Sequence, residues 1–297
     1  MRANTDLKGV VAAVVTPLDA QFDIRAELLA HHCREMLAAG CSFTSPFGTT
    51  GEGASLSTAQ KLAALDALMT AGLDPARLIP GTICSSLDDA AQMLSGIAAR
   101  GCRAALVMPP FYYDLSGHDG VAQYYEALLE RAGRPEIDII LYNFPKYSGV
   151  TFTPDLVRAV QARTGDAVAG IKDSTGDLTA GLALIEAHPD LSVFTGDDRI
   201  LARMVAGGGA GIIGGIPNLF PKACIALTTG PVTPAAQALA EDRITAIDGN
   251  GGLAAIKALL ADRYGEPAFA RMVPPLLPLP AEAARALAGK LAQGAGN

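Results

Sequence analysis

Long hydrophobic runs, paired cysteines, converging histidines and basic stripes are all missing from this chain, and each gap removes a class of function. No uninterrupted apolar run approaches the roughly 18 residues that suggest a membrane-spanning helix, although half the residues are hydrophobic. The opening Met1-Arg2-Ala3-Asn4-Thr5-Asp6 has no apolar core behind its single arginine, so a cytoplasmic protein with no membrane partner is expected. The five cysteines, Cys33, Cys41, Cys84, Cys102 and Cys224, are odd in number and dispersed, without the close pairs of a zinc or redox motif. They read as reduced packing residues. The four histidines fall in predicted helices or at their edges, so no metal site and no cofactor are expected. Net charge is -7 with acids and bases mixed, and without a basic stripe no nucleic-acid partner is expected. No low-complexity linker separates domains.

What the chain does have is alternation. Apolar stretches of strand length at 10–15, 42–46, 78–83, 104–108, 137–142, 167–172, 192–195 and 211–215 are separated by amphipathic helical patterns. Those patterns lie near 25–39, 57–71, 87–100, 118–132, 154–163, 177–187 and 198–206. Eight strands with intervening helices at this length predict an α/β fold, a (β/α)8 TIM barrel. Ser57-Thr58-Ala59-Gln60 has capping-box spacing, and Thr153-Pro154 puts proline in a first helical turn. Gly40, Gly72, Gly101 and Gly207 follow helical stretches as left-handed stops. Asp197 and Asp198 read as helix caps. Further Ala-rich helical stretches near 219–229, 234–246, 251–263 and 281–293 predict a C-terminal extension. The expected division is 1–225 for the barrel and 226–297 for the extension, packed as one catalytic unit.

In a (β/α)8 barrel the reactive groups gather where the strands end. The sixth strand ends in Gly170-Ile171-Lys172-Asp173. An unpaired buried ammonium tends to lose its proton, and a neutral amine attacks a ketone to form a Schiff base. The alternative is a lysine snorkelling from a strand end. The second strand runs into Phe47-Gly48-Thr49-Thr50-Gly51-Glu52-Gly53, where backbone amides and two hydroxyls suit a carboxylate or a proton relay, or form an ordinary turn. This stretch lacks the lysine and spacing of an ATP phosphate loop. The fifth ends in Tyr142-Asn143-Phe144-Pro145-Lys146-Tyr147-Ser148-Gly149, with Tyr142 a proton carrier or a rim aromatic. The fourth gives Pro109-Pro110-Phe111-Tyr112-Tyr113-Asp114, a packing or interface cluster. Small residues after the seventh and eighth, Gly196 and Gly211-Ile212-Ile213-Gly214-Gly215, leave room beside the lysine.

With those motifs collected in order, the chain resembles the dihydrodipicolinate synthase and N-acetylneuraminate lyase family of Schiff-base barrels over nearly its full length. The resemblance implies that Lys172 forms an imine with pyruvate or the 2-keto end of a substrate. Tyr142 would carry protons, and Thr49 would link it to Tyr113, often supplied in such proteins by a neighbouring subunit. Thr50 and the backbone around it would hold the keto acid's carboxylate, with Ile213 closing the pocket and Gly196 leaving space. The implied assembly is a homotetramer, a dimer of dimers, with a dimer possible. One position departs: where lysine-biosynthetic members usually have an arginine for a second carboxylate, this chain has Tyr147, followed by Ser148. Lys146 lacks the planar fork and need not point the same way. Two hydroxyls suit a polyhydroxylated chain. The expected activity is therefore aldol cleavage, condensation or dehydration of a 2-keto-3-deoxy sugar acid or related hydroxy-keto acid. The alternatives are 4-hydroxy-tetrahydrodipicolinate synthase, joining pyruvate to aspartate semialdehyde, and a non-catalytic keto-acid-binding barrel.

Overall fold

The computed structural model describes residues 7–113 and 117–293, so the Met1 to Asp6 stretch and Asp114 lie outside the described residues. Eight short parallel strands alternate with helices: β1 Gly9–Ala12, β2 Phe43–Thr44, β3 Gly81–Thr82, β4 Ala104–Val107, β5 Asp138–Asn143, β6 Val168–Asp173, β7 Ser192–Thr195 and β8 Gly211–Gly214. Their order in the sheet is β2-β1-β8-β7-β6-β5-β4-β3. A parallel bridge between Thr44 and Leu78, continued by Gly81 N–H donating to the Pro46 carbonyl at 2.8 Å, joins the two outermost strands and closes the barrel. The expected (β/α)8 barrel is therefore the observed fold. β2 and β3 are shorter than their apolar runs because Pro46 and Pro80 have no N–H to give a ladder.

The helices over the barrel are α1 Ala26–Ala38, α2 Thr58–Thr70, α3 Leu87–Ala99, α4 Gly117–Arg131, α5 Pro145–Ser148, α6 Pro154–Thr164, α7 Leu178–Ala187 and α8 Asp198–Ala206. Ser57 and Gln60 form the expected capping box, and Thr153 accepts from Leu156 N–H ahead of Pro154. Two local readings change. The left-handed stop after α8 is Gly208, at φ 96°, because Gly207 stays at φ -84°. Asp197 caps α8, whereas Asp198 is buried and accepts a hydrogen bond from Cys224 Sγ at 3.1 Å. The one-turn helix α5 was not anticipated; Pro145 opens it and Gly149 ends it in the left-handed region.

Side chains alternate along each strand between two apolar layers. Ala105, Val107, Ile139 and Leu141 pack outward against the helices. Leu106, Met108, Ile140, Tyr142, Phe194 and Ile213 fill the lumen. After β8 come α9 Pro221–Ala226, α10 Pro234–Asp248, α11 Leu253–Tyr264 and α12 Ala281–Gln293. The expected division at residue 225 thus falls inside α9. A third apolar cluster, including Val15, Ile247, Ile256, Leu260, Phe269 and Leu287, fastens these helices to the end of the barrel where β1 emerges. Each such side chain contributes about 1.5–3 kcal/mol when fully buried. All five cysteines are free and buried. Among the described residues, no helix is long and apolar enough to cross a membrane.

Candidate active site

β5 and β6 pair with Tyr142 opposite Lys172 and Asn143 opposite Asp173. Their ladder changes register: Ile139 is opposite Val168, but Ile140 is opposite Gly170, so β6 carries one extra residue. Val168 and Ile171, three residues apart, both pack in the outer layer, while Ala169 packs in the lumen. An unbroken strand would put Lys172 on the outer face with Val168. The bulge switches the alternation and turns Lys172 into the lumen beside Tyr142. Gly170 permits it, since a Cβ there would stand 2.6 Å from the Ser192 carbonyl oxygen of β7.

The result is an amine laid on an aromatic face. Lys172 is 5 % exposed and Tyr142 1 %, and the Lys172 Nζ lies 4.2 Å from the centroid of the phenol ring. Among the described residues no carboxylate forms an ion pair with this amine. The neighbouring Asp173 is engaged elsewhere. It accepts from Asn143 Nδ2 at 2.9 Å, from Thr175 N–H at 3.2 Å and from the Thr175 hydroxyl at 3.0 Å. Burial pushes its carboxyl up, and those hydrogen bonds pull the other way. Asp173 thus ties together the loops that follow β5 and β6.

The Tyr142 hydroxyl is 3.1 Å from Thr49 Oγ1, which joins the β2 loop to the phenol. That loop is a compact turn in which Gly51 and Gly53 N–H both donate to the Gly48 carbonyl at 3.0 Å. Within the described residues the N–H groups of Thr49 and Thr50 have no protein partner. Two adjacent free amides beside two hydroxyls form a set of donors suited to a carboxylate. Thr50 sits against Gly215, where a Cβ would be 3.3 Å from its Oγ1. Ile213 is fully buried in the same lumen cluster as Tyr142 and Phe194. Gly196 gives its N–H to the Asp173 carbonyl at 2.7 Å, and a Cβ there would strike Ser174 Oγ at 2.2 Å, so its amide is committed to the scaffold.

Lys172, Tyr142 and Thr49 are thus in one contact chain, with Ile213 beside them and Thr50 on the same turn as Thr49. The others are not in that chain. Tyr147 is half exposed on α5, its ring edge-on to Phe144 at 4.7 Å, with Lys146 Nζ 5.6 Å from its centroid. Ser148 is buried and turned inward. Its hydroxyl lies 3.1 Å from the Phe144 carbonyl and 3.3 Å from that of Val150, and accepts from Val150 N–H at 3.2 Å. The closure of α5 therefore uses the Ser148 hydroxyl, leaving Tyr147 the member of the pair that faces solvent. Tyr113 is 77 % exposed and contacts Tyr112, with ring centroids 5.2 Å apart.

Two buried lysines escaped the sequence reading. Lys257 on α11 is fully buried and paired with Glu52, the residue that closes the Gly-Thr-Thr-Gly turn. Lys61 on α2 donates to the Gly53 carbonyl at 3.1 Å and lies 3.9 Å from Cys84 Sγ. Burial lowers the pKa of both amines; the Glu52 charge opposes this at Lys257, as Cys84 does at Lys61. The sequence signal was a lone lysine within an apolar helical run, Leu253-Ala254-Ala255-Ile256-Lys257-Ala258-Leu259-Leu260.

Comparison with known proteins follows the same architecture. A profile of the dihydrodipicolinate synthetase family matches residues 6–291. An uncharacterised DapA-like lyase of Chloroflexus aurantiacus is 33% identical over 216 residues, 72% of each chain. A 4-hydroxy-tetrahydrodipicolinate synthase of Anaeromyxobacter is 31% identical over 220 residues, 73% of this chain and 72% of the relative. Among solved structures, dihydrodipicolinate synthase from Agrobacterium tumefaciens superposes with TM-score 0.89 at 30% identity, covering 96% of this chain and 98% of that one. The sialic acid aldolase of Ruminococcus gnavus has the same fold, with TM-score 0.87 at 21% identity and 98% of each chain covered.

Proposed function

This chain belongs to the dihydrodipicolinate synthetase family, a family of lyases, and from that premise we propose that it cleaves, forms or dehydrates a 2-keto-3-deoxy sugar acid or related hydroxy-keto acid through an imine on Lys172. The observation that carries this reading is the contact chain itself: an amine with no carboxylate partner among the described residues, against a phenol whose hydroxyl meets a threonine. The substrate carboxylate takes the free amides of Thr49 and Thr50 and the Thr50 hydroxyl, which sets the 2-keto carbon beside Lys172 Nζ. The unprotonated amine adds to that carbon, the Tyr142 phenol gives its proton to the resulting hydroxyl, and loss of that hydroxyl as water leaves a protonated imine with Tyr142 as phenolate.

In cleavage, Tyr142 takes the proton of the C4 hydroxyl, the C3–C4 bond breaks, and its electron pair moves into the imine as an enamine while an aldehyde leaves. Protonation of the enamine and hydrolysis release pyruvate. In dehydration the same base takes a C3 proton and the C4 hydroxyl departs as water. Thr49 passes the proton between Tyr142 and Tyr113 of a second copy of the chain, in a dimer or a dimer of dimers. Ile213 closes the pocket over the keto acid, and Tyr147 faces the hydroxylated tail.

The names of the relatives support a second reading, condensation of pyruvate with aspartate semialdehyde. The choice rests on Tyr147 standing where a bidentate arginine would read a second carboxylate. The purified protein is given each substrate set in turn, and pyruvate release or consumption is followed. Faster turnover of 2-keto-3-deoxy sugar acids is the expected result. Faster turnover of the semialdehyde overturns the substrate assignment, and turnover of neither overturns both.

A further inference from the structure

Glu52 is an unusual residue to find where it stands. Its backbone lies in the left-handed region at φ 54°, uncommon for a residue with a long side chain, yet its carboxylate is completely buried. One carboxylate oxygen is bonded to Lys257 Nζ, and the other accepts from Val273 N–H at 2.8 Å. Lys257 Nζ also donates to the Thr16 carbonyl at 2.8 Å, and the Thr16 hydroxyl donates to the Gly51 carbonyl at 2.6 Å. The circuit runs from Gly51 through Thr16 and Lys257 back to Glu52, and so encloses the base of the turn that carries Thr49 and Thr50. Lys257, a member of the circuit, and Val273, which donates to Glu52, both come from the C-terminal extension.

Burying an ion pair is a poor way to gain stability, because apolar replacements of similar volume often do as well. A charge pair kept at full burial, beside a residue in a rare backbone conformation, answers better to a requirement for position. We infer that Glu52 and Lys257 are positioning residues: they hold the turn so that Thr49 keeps its contact with the Tyr142 hydroxyl and the Thr49 and Thr50 amides stay presented to the substrate carboxylate. The extension is then a working part of the site. This inference rests on the imine reading for its kinetic readout, and on the turn's own rigidity for a readout that does not need it.

The test uses the full chain carrying both Glu52→Gln and Lys257→Met, which leaves no buried charge unpaired. A milder variant, Thr16→Val, cuts the same circuit without altering any charge. For each, folding is checked by near-ultraviolet circular dichroism. The rate of borohydride-trapped pyruvate adduct, kcat and KM are then measured per folded molecule, together with amide hydrogen exchange over residues 48–53. The double variant is expected to fold, to lose on the order of 10²-fold in trapping rate and kcat, and to exchange faster at Gly51 and Gly53. Thr16→Val is expected to show the same changes at smaller size. Wild-type rates and wild-type exchange in either folded variant overturn the inference. If the double variant does not fold, Thr16→Val decides alone. Absence of any adduct in the wild-type protein overturns the imine reading instead, and the exchange comparison then decides the positioning role.

Discussion

Lys172 and Lys257 are both buried amines, and their surroundings could hardly differ more. Lys257 is held on two sides, by a carboxylate and by a backbone carbonyl that accept from it at full burial. Among the described residues, Lys172 has a phenol face 4.2 Å away, unpartnered amides on the nearby turn, and no carboxylate in an ion pair. Burial is common to the two, so burial does not mark a nucleophile. On the proposed reading the partner set does: Lys257 is held by a carboxylate and a carbonyl, whereas Lys172 faces an aromatic wall and the turn that carries the unpartnered amides. Lys61, with a carbonyl and a thiol as its neighbours, falls with Lys257 on the structural side.

Substitution sharpens that contrast. Lys172→Ala should abolish turnover while leaving the fold intact, because the site loses an amine that pairs with no acid among the described residues. Lys257→Ala should cost about 3–5 kcal/mol of stability by stranding the Glu52 carboxylate, measured by denaturant unfolding. If the two variants exchange these phenotypes, the comparison is broken. Tyr142→Phe should lower kcat by about 10²–10⁴-fold with folding unchanged, as expected on removing a proton carrier, and unaltered kinetics would take the phenol out of the mechanism. Gly170→Ala touches no substrate, yet by crowding the Ser192 carbonyl it should disturb the bulge and cost on the order of 10²-fold in rate, seen as a fall in kcat. A wild-type rate would show that Lys172 keeps its place without the bulge.

The smallest expected effect concerns Asp198, a buried acid that, unlike Glu52, forms no ion pair among the described residues. Burial raises its carboxyl from the usual 3.8 to about 7, and hydrogen bonding from Cys224 opposes this. Between those values the folded state holds a proton that the unfolded state has lost, so stability falls as pH rises through about 7. Asp198→Asn should remove a slope of at most about 1.4 kcal/mol per pH unit. The wild-type minus variant difference isolates it from His32, whose burial lowers its pKa to about 4 and so tilts stability the opposite way. An identical slope in both proteins would show that Asp198 is not the group that titrates.

The barrel was legible because strand and helix periods are local, and strand ends could be read as a list of chemistry-bearing residues. Lys172, Tyr142 and Thr49 were singled out that way, and the structure brings them into one contact chain. What escaped depends on pairings between distant residues. Glu52 and Lys257 are 205 positions apart, and neither shows a partner in its own neighbourhood. The β6 bulge exists only relative to β5, although a glycine inside a strand was its mark. Ser148 looked available as a hydroxyl beside Tyr147, but a one-turn helix curls it back on its own carbonyls. Asp198 looked like a second cap until its burial against Cys224 was visible.

The most direct test is to locate the trapped carbon. The wild-type protein is reduced with borohydride in the presence of pyruvate, digested, and its modified peptide sequenced by mass spectrometry. The account predicts a single adduct on Lys172, with Lys61 and Lys257 unmodified. An adduct on either of those amines, or none on Lys172, contradicts it.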